Sequence, residues 1–203
     1  MGSVDDIERR DLYKALLVED EDKVLNLCKK FREGPLHEIT IHGDTVLHVA
    51  TYTKKGDLIR KLLKMVSEET RCKMITQNRV GNTILHEAAT SDKLVPMARE
   101  MISIEPRLLS IKNKFEETPI YRAARFGKTQ MFKFLDDQVV GDQEVSDKIR
   151  AFYEKKGTTV LHTTVAKEEF GGCASLVFLF CSFLFLFLFL FFFSFVALIN
   201  FFV

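Results

Sequence analysis

The chain has 203 residues, with 29 basic and 28 acidic side chains and a formal net charge of +1. That length allows one domain of ordinary size plus a further segment, and the balance of charge lacks the basic excess that a nucleic-acid partner calls for. The charges are unevenly placed: residues 1–170 carry all of them and residues 171–203 none.

The first residues, Met1 to Glu8, are acidic and have no apolar core, so no secretory signal peptide is expected. Asp6 stands where a myristoylation signal calls for Ser or Thr. Residues 9–31 hold two short amphipathic runs. The first is Asp11–Leu16; the second joins Val24–Cys28 with Phe31 at helical spacing. Arg32-Glu33-Gly34-Pro35 then breaks the pattern.

A motif follows that the chain repeats. Gly43-Asp44-Thr45-Val46-Leu47-His48-Val49-Ala50 is matched by Gly81–Ala89, by Gly157–His162 and, more loosely, by Glu116–Ala124. The aligned threonines are Thr45, Thr83, Thr118 and Thr159, spaced by 38, 35 and 41 residues. Each residue type has a local reason. Gly suits a turn that needs positive φ. Thr can cap a helix N-terminus, and Pro119 has the residue type best suited to the first helical position. Leu47, Leu85, Ile120 and Leu161 should point inward. His48, His86 and His162 lie three residues after the cap, where a ring nitrogen reaches back to the turn. Ala50, Ala88 and Ala123 allow neighbouring helices to approach closely.

Second helices are expected after each motif. Asp57–Val66 places Leu58, Ile59, Leu62, Leu63 and Val66 on one stripe. The preceding link, Thr51–Gly56, looks about two residues longer than usual for such a pair. Residues 67–79 read as a charged connection. The next second helix runs near Leu94–Ile104, with Pro96 near its start and Asp92 between the helices. After Thr118, Gly127 sits between helices and Met131, Phe132, Phe134 and Leu135 supply core. The turn Lys114–Glu117 lacks its Gly. Asp136–Glu154 reads as a longer connection with a helix carrying Val145, Ile149 and Phe152 on one face. The copy at Thr159 has a first helix, His162–Phe170, but no amphipathic second one.

Recurrence at this period, with Thr, Leu/Ile, His and Ala at fixed places, resembles the ankyrin pattern. The expected fold class is therefore all-α: an ankyrin-repeat solenoid of helix pairs with β-turn fingertips, followed by one apolar transmembrane-type helix. Residues 1–40 form a degenerate capping repeat, residues 41–170 the repeats, and residues 173–203 the apolar segment. Leu176–Ile199 spans 24 residues with only Cys181, Ser182 and Ser194 mildly polar. A bilayer core takes about 20 such residues. Insertion is favourable by roughly 7–14 kcal/mol on a per-residue scale. A membrane location with a cytosolic repeat domain is the expectation. The alternation Phe183–Leu190 is also what a translated pyrimidine tract at an intron end yields, so a truncated or misannotated product of a larger ankyrin membrane protein is the alternative, acting as a soluble competitor or without function.

No catalytic, cofactor or metal site is expected. The histidines fall one per repeat and should not converge. Cys28, Cys72, Cys173 and Cys181 show no zinc spacing and fit a reducing compartment. No phosphate loop or nucleophile turn is present in the sequence. What remains is protein binding on the face made by the first helices and the turns at 41–44, 78–82, 113–117 and 154–158. Aromatic residues and Arg carry much interface energy. The candidate partner-binding residues are therefore Tyr52, Arg79, Glu87, Phe115, Arg122 and Arg125. No small-molecule substrate is expected.

The phrases Asp-Thr-Val-Leu-His-Val-Ala and Glu-Thr-Pro-Ile-Tyr-Arg-Ala-Ala, with the apolar C-terminal region, resemble plant ankyrin-repeat membrane proteins of the PGG-domain group. That resemblance implies a role in stress or defence signalling. The chain departs from the group in lacking the Pro-Gly-Gly segment and several spanning helices, so no transport role is implied.

Overall fold

The computed structural model describes residues 4–140, 154–155 and 158–159. It is helical. The helices are α1 (Val4–Leu17), α2 (Glu21–Cys28), α3 (Val46–Tyr52), α4 (Gly56–Leu63), α5 (Ile84–Ala88), α6 (Val95–Ile104), α7 (Pro119–Arg125) and α8 (Thr129–Val140). A two-residue antiparallel pair joins β1 (Glu154–Lys155) to β2 (Thr158–Thr159). Short 3₁₀ turns lie at Gly34–Leu36, Arg71–Ile75, Asp92–Leu94 and Pro106–Leu109.

Among the described residues the eight helices form four consecutive pairs, each in contact with the next. Each odd-numbered helix packs on its own partner and on the next odd-numbered helix; the even-numbered helices do the same. Helices α3, α5 and α7 are only seven, five and seven residues long. Isolated helices this short do not hold in water, so their stability comes from caps and packing. The Thr45 hydroxyl accepts the N–H of His48, and that of Thr118 accepts the N–H of Tyr121. Leu47, Leu85, Ala50, Ala88 and Ala123 are fully buried, and Ile120 nearly so. Leu58, Ile59, Leu62 and Leu63 of α4 face them, as do Met97, Ala98 and Met101 of α6 and Met131, Phe132, Phe134 and Leu135 of α8.

Several boundaries differ from the sequence expectation. Helix α4 stops at Leu63, so Val66 lies beyond it and is half-buried. The charged stretch 67–79 contains the 3₁₀ turn Arg71–Ile75, which sends Met74 into the core. The α3–α4 link is Thr53 to Lys55, three residues like the α7–α8 link, so no extra length exists there. Lys54 takes the left-handed conformation (φ 61°) that Gly127 takes (φ 64°) in the other link. Helix α8 continues through Asp136 to Val140, five residues into the expected connection. The expected faces of Val145, Ile149 and Phe152, the helix after Thr159 and the apolar run Leu176–Ile199 lie outside the described residues. Among the described residues no helix is long and apolar enough to cross a membrane.

The turns between pairs share one design. The residue five before each capping Thr organises its loop. Thr40 Oγ1 accepts the N–H groups of His42 and Asp44. Asn78 Oδ1 accepts those of Val80 and Asn82, and Asn113 Oδ1 those of Phe115 and Glu117. Successive turns are also bonded to each other: Arg79 N–H donates to His42 O at 2.6 Å and Lys114 N–H to Val80 O at 3.1 Å. Gly43 and Gly81 hold positive φ (74° and 81°), and Glu116 holds the same conformation (φ 59°) without being Gly.

Space around the two glycines differs. A Cβ on Gly81 would lie 2.5 Å from Lys114 N, whereas one on Gly43 would lie 3.7 Å from its nearest neighbour. Gly43→Ala should therefore cost only the left-handed penalty, about 1–2 kcal/mol. Gly81→Ala adds a backbone clash and should cost on the order of 3 kcal/mol or more. Glu116→Gly should stabilise by up to about 1 kcal/mol by relieving the same penalty. Denaturant titrations of the three variants check the ranking; equal losses for the two alanine variants would contradict it.

Candidate functional site

The motif histidines are the first groups to place, since a buried imidazole is a common catalytic element. His48 is 2% exposed and His86 fully buried. In each, Nδ1 receives the backbone N–H of the capping Thr, at 3.3 Å from Thr45 and 3.1 Å from Thr83. The Thr hydroxyls lie 2.9 Å from the same atoms. A nitrogen that accepts a backbone N–H carries no proton, so Nε2 carries it. That proton is donated to the next unit: His48 Nε2 lies 3.1 Å from Asn82 O and His86 Nε2 lies 2.9 Å from Glu117 O. Both rings are thus neutral braces, as the sequence reading expected for the turn side. The bond across to the following unit was not foreseen.

Burial is the main cause holding both imidazoles below their ordinary pKa; His86 is pushed down to about 4, with the nearby Arg122 adding to the shift. Neither group exchanges a proton readily near neutrality. Burial likewise pushes the Cys28 thiol up to about 12, away from thiolate chemistry. Among the described residues no group of three or more His, Cys, Asp or Glu side chains could hold a metal ion.

A groove of about 830 Å³ runs along the odd-numbered helices and their turns. Tyr13 of α1 and Tyr52 of α3 line it, with Ile41 on the first turn. Val49, Glu87 and Arg122, each four residues after a capping Thr, line it from three successive units. Tyr52 is 74% exposed and Ile41 92%, so both offer apolar surface to a partner.

The six candidate residues separate into two kinds. Tyr52 is an exposed groove residue. Arg79 and Phe115 are exposed at turn tips and do not line the groove. Glu87, Arg122 and Arg125 are largely committed within the protein. Asn82 Nδ2 donates to Glu87 Oε1 at 2.7 Å. Arg122 donates to Asn82 Oδ1 at 3.2 Å and to Glu87 Oε2 at 3.5 Å. Side chains of that ion pair are only 11% and 12% exposed. Arg125 pairs with the fully buried Glu117 at 3.2 Å, and both Arg122 and Arg125 lie over the Phe126 ring. Asn113 Nδ2 closes the network by donating to Asn82 Oδ1 and Glu117 Oε2.

Sequence reasoning placed the turn at 41–44 on the binding face but missed Thr40, Asn78 and Asn113 as loop organisers, and Arg9, Arg10 and Tyr13 as groove residues. Polar side chains recurring five residues before each Thr were the available signal for the first three. The α1 contribution had no such signal, because the first pair carries no motif.

Two outcomes follow. Arg122→Ala removes one member of a buried pair and should destabilise by roughly 3 kcal/mol, while Tyr52→Ala should stay within about 0.5 kcal/mol; thermal melting of both variants tests the separation. The histidines make stability acid-sensitive. Their folded pKa values lie below the unfolded value, so the unfolded chain binds protons first as pH falls. Stability is full above about 6.5 and declines as pH falls, down to about pH 4 for His86, by at most about 1.4 kcal/mol per pH unit for each ring. Denaturant midpoints at pH 7 and pH 5 should fall less steeply in His86→Gln than in the parent chain; an unchanged slope would contradict the assignment.

Compared with known proteins, the chain matches no protein-family model and no curated protein.

Proposed function

We propose that the chain is a non-catalytic protein-binding module of the ankyrin type, tethered to a membrane by Leu176–Ile199, with the groove as its partner site. Stress or defence signalling is the role that the family resemblance implies. One observation carries the binding reading. The positions four residues after Thr45, Thr83 and Thr118 all face the groove, yet they are Val49, Glu87 and Arg122. The joints repeat while the groove residues vary, which is how a stack of similar units acquires a specific surface. Exposed Tyr52 and Ile41 supply the kind of apolar anchor that interfaces use. The membrane tether rests on the uncharged length of the run from Leu176 to Ile199.

Proteins captured by the full chain should be lost from a Tyr52→Ala/Ile41→Ser variant and kept by Lys64→Ala, an exposed change at the end of α4. Equal capture by all three would sink the groove assignment. Alkaline carbonate extraction addresses the tether: the chain should stay with the membrane pellet, and release into the supernatant would refute a span.

A further inference from the structure

The groove is rich in unengaged donors and poor in unengaged acceptors. Both carboxylates that line it are already satisfied. Asp44 Oδ1 accepts from Asn78 Nδ2 and Oδ2 from Thr40 Oγ1, each at 2.8 Å. Glu87 accepts from Asn82 and Arg122. On the donor side, Arg10 lines the groove, is exposed, and forms no ion pair or side-chain hydrogen bond among the described residues. The exposed His42 ring is likewise without a partner there. Arg79, exposed and also unpaired among the described residues, stands on the adjoining turn, held beside His42 by the bond from its own N–H to His42 O. A ligand entering the groove therefore meets cations and hydrogen-bond donors between apolar walls, and has to bring the acceptors.

Resting on the protein-binding reading above, we infer that the groove takes an acidic peptide segment with at least one large apolar residue. Carboxylates of the segment meet Arg10 and Arg79, and its apolar side chain lies between Ile41 and Tyr52. Those apolar walls, together with a net charge of only +1, favour a peptide over a nucleic-acid strand. A nucleic acid would need a much broader basic surface to gain from counterion release.

The test uses the full chain in a non-ionic detergent and two labelled peptides of identical Leu and Tyr content, one interspersed with Glu and the other with Lys. Fluorescence anisotropy should show the Glu peptide binding at least about tenfold tighter, with affinity falling as salt is raised. Arg10→Glu should weaken it by about threefold to tenfold, consistent with a charge at the edge of an interface. Tyr52→Ala should weaken both peptides. Circular dichroism melts of each variant establish that the fold is kept. Equal affinity for the two peptides, with sensitivity to Tyr52→Ala, overturns the acidic-segment inference and leaves the groove reading standing. Insensitivity of both peptides to Tyr52→Ala and Arg10→Glu overturns both. Absence of Glu-peptide binding up to about 1 mM, or equal competition by a single-stranded oligonucleotide, also overturns the inference.

Discussion

The middle of the stack depends on an imidazole that makes two bonds at once. Nδ1 of His48 and of His86 closes the N-terminal turn of its own helix, and Nε2 reaches the carbonyl just before the next capping Thr. Helices of five to seven residues cannot persist alone. The ring therefore ties the cap that makes a helix possible to the neighbour that makes it stable. Thr lacks the reach to do both, and a charged side chain would be costly at zero to two per cent exposure. Neutral His with one donor and one acceptor on opposite edges meets both demands.

Around that brace the buried polar groups of the turns bond within the protein. Asn78 bonds its own loop with its carbonyl oxygen and reaches Asp44 of the previous unit with its amide, and Asn113 does the same toward Asn82. A buried unsatisfied amide costs about 1–3 kcal/mol, so such complete use is what allows so many polar side chains to sit inside a thin structure. It also explains the chemistry of the groove. Acidic groups there serve the neighbouring turns, and Arg10 of the first helix and Arg79 of the second turn face outward.

Much of this was legible in the residues. Threonine, an inward Leu or Ile, His and Ala at one spacing named the start of α3, α5 and α7 to the residue, because a cap and a first turn are local events. Glu87 and Arg122, picked out in the sequence as candidates on the binding face, do line the groove. What the spacing did not reveal was whether those side chains are available. Arg122 reads as a solvent-facing interface residue until Asn82 and Glu87 are seen beside it, and those contacts join residues 40 and 35 positions apart. Helix ends were missed where tertiary contacts decide them. Met131 N–H donates to Asp92 Oδ1 at 2.9 Å, so the side chain standing in one interhelix link caps the first turn of α8 in the next pair. Sequence reading registered Asp92 only as a residue between the helices.

The two edges of the stack are joined by different forces. On the turn edge, backbone bonds such as Arg79 N–H to His42 O fix the spacing, and Gly81 approaches Lys114 so closely that there is no slack. Along the even-numbered helices, buried side chains are supplemented by exposed ion pairs between units, Lys61 with Glu21 and Arg60 with Glu100. Packing and ion pairs tolerate small displacements that short backbone bonds do not, and exposed pairs weaken as counterions accumulate. The molecule is therefore built like a strip with one inextensible edge and one compliant edge. Its softest deformation is a change in curvature, which widens or narrows the groove without breaking a single turn.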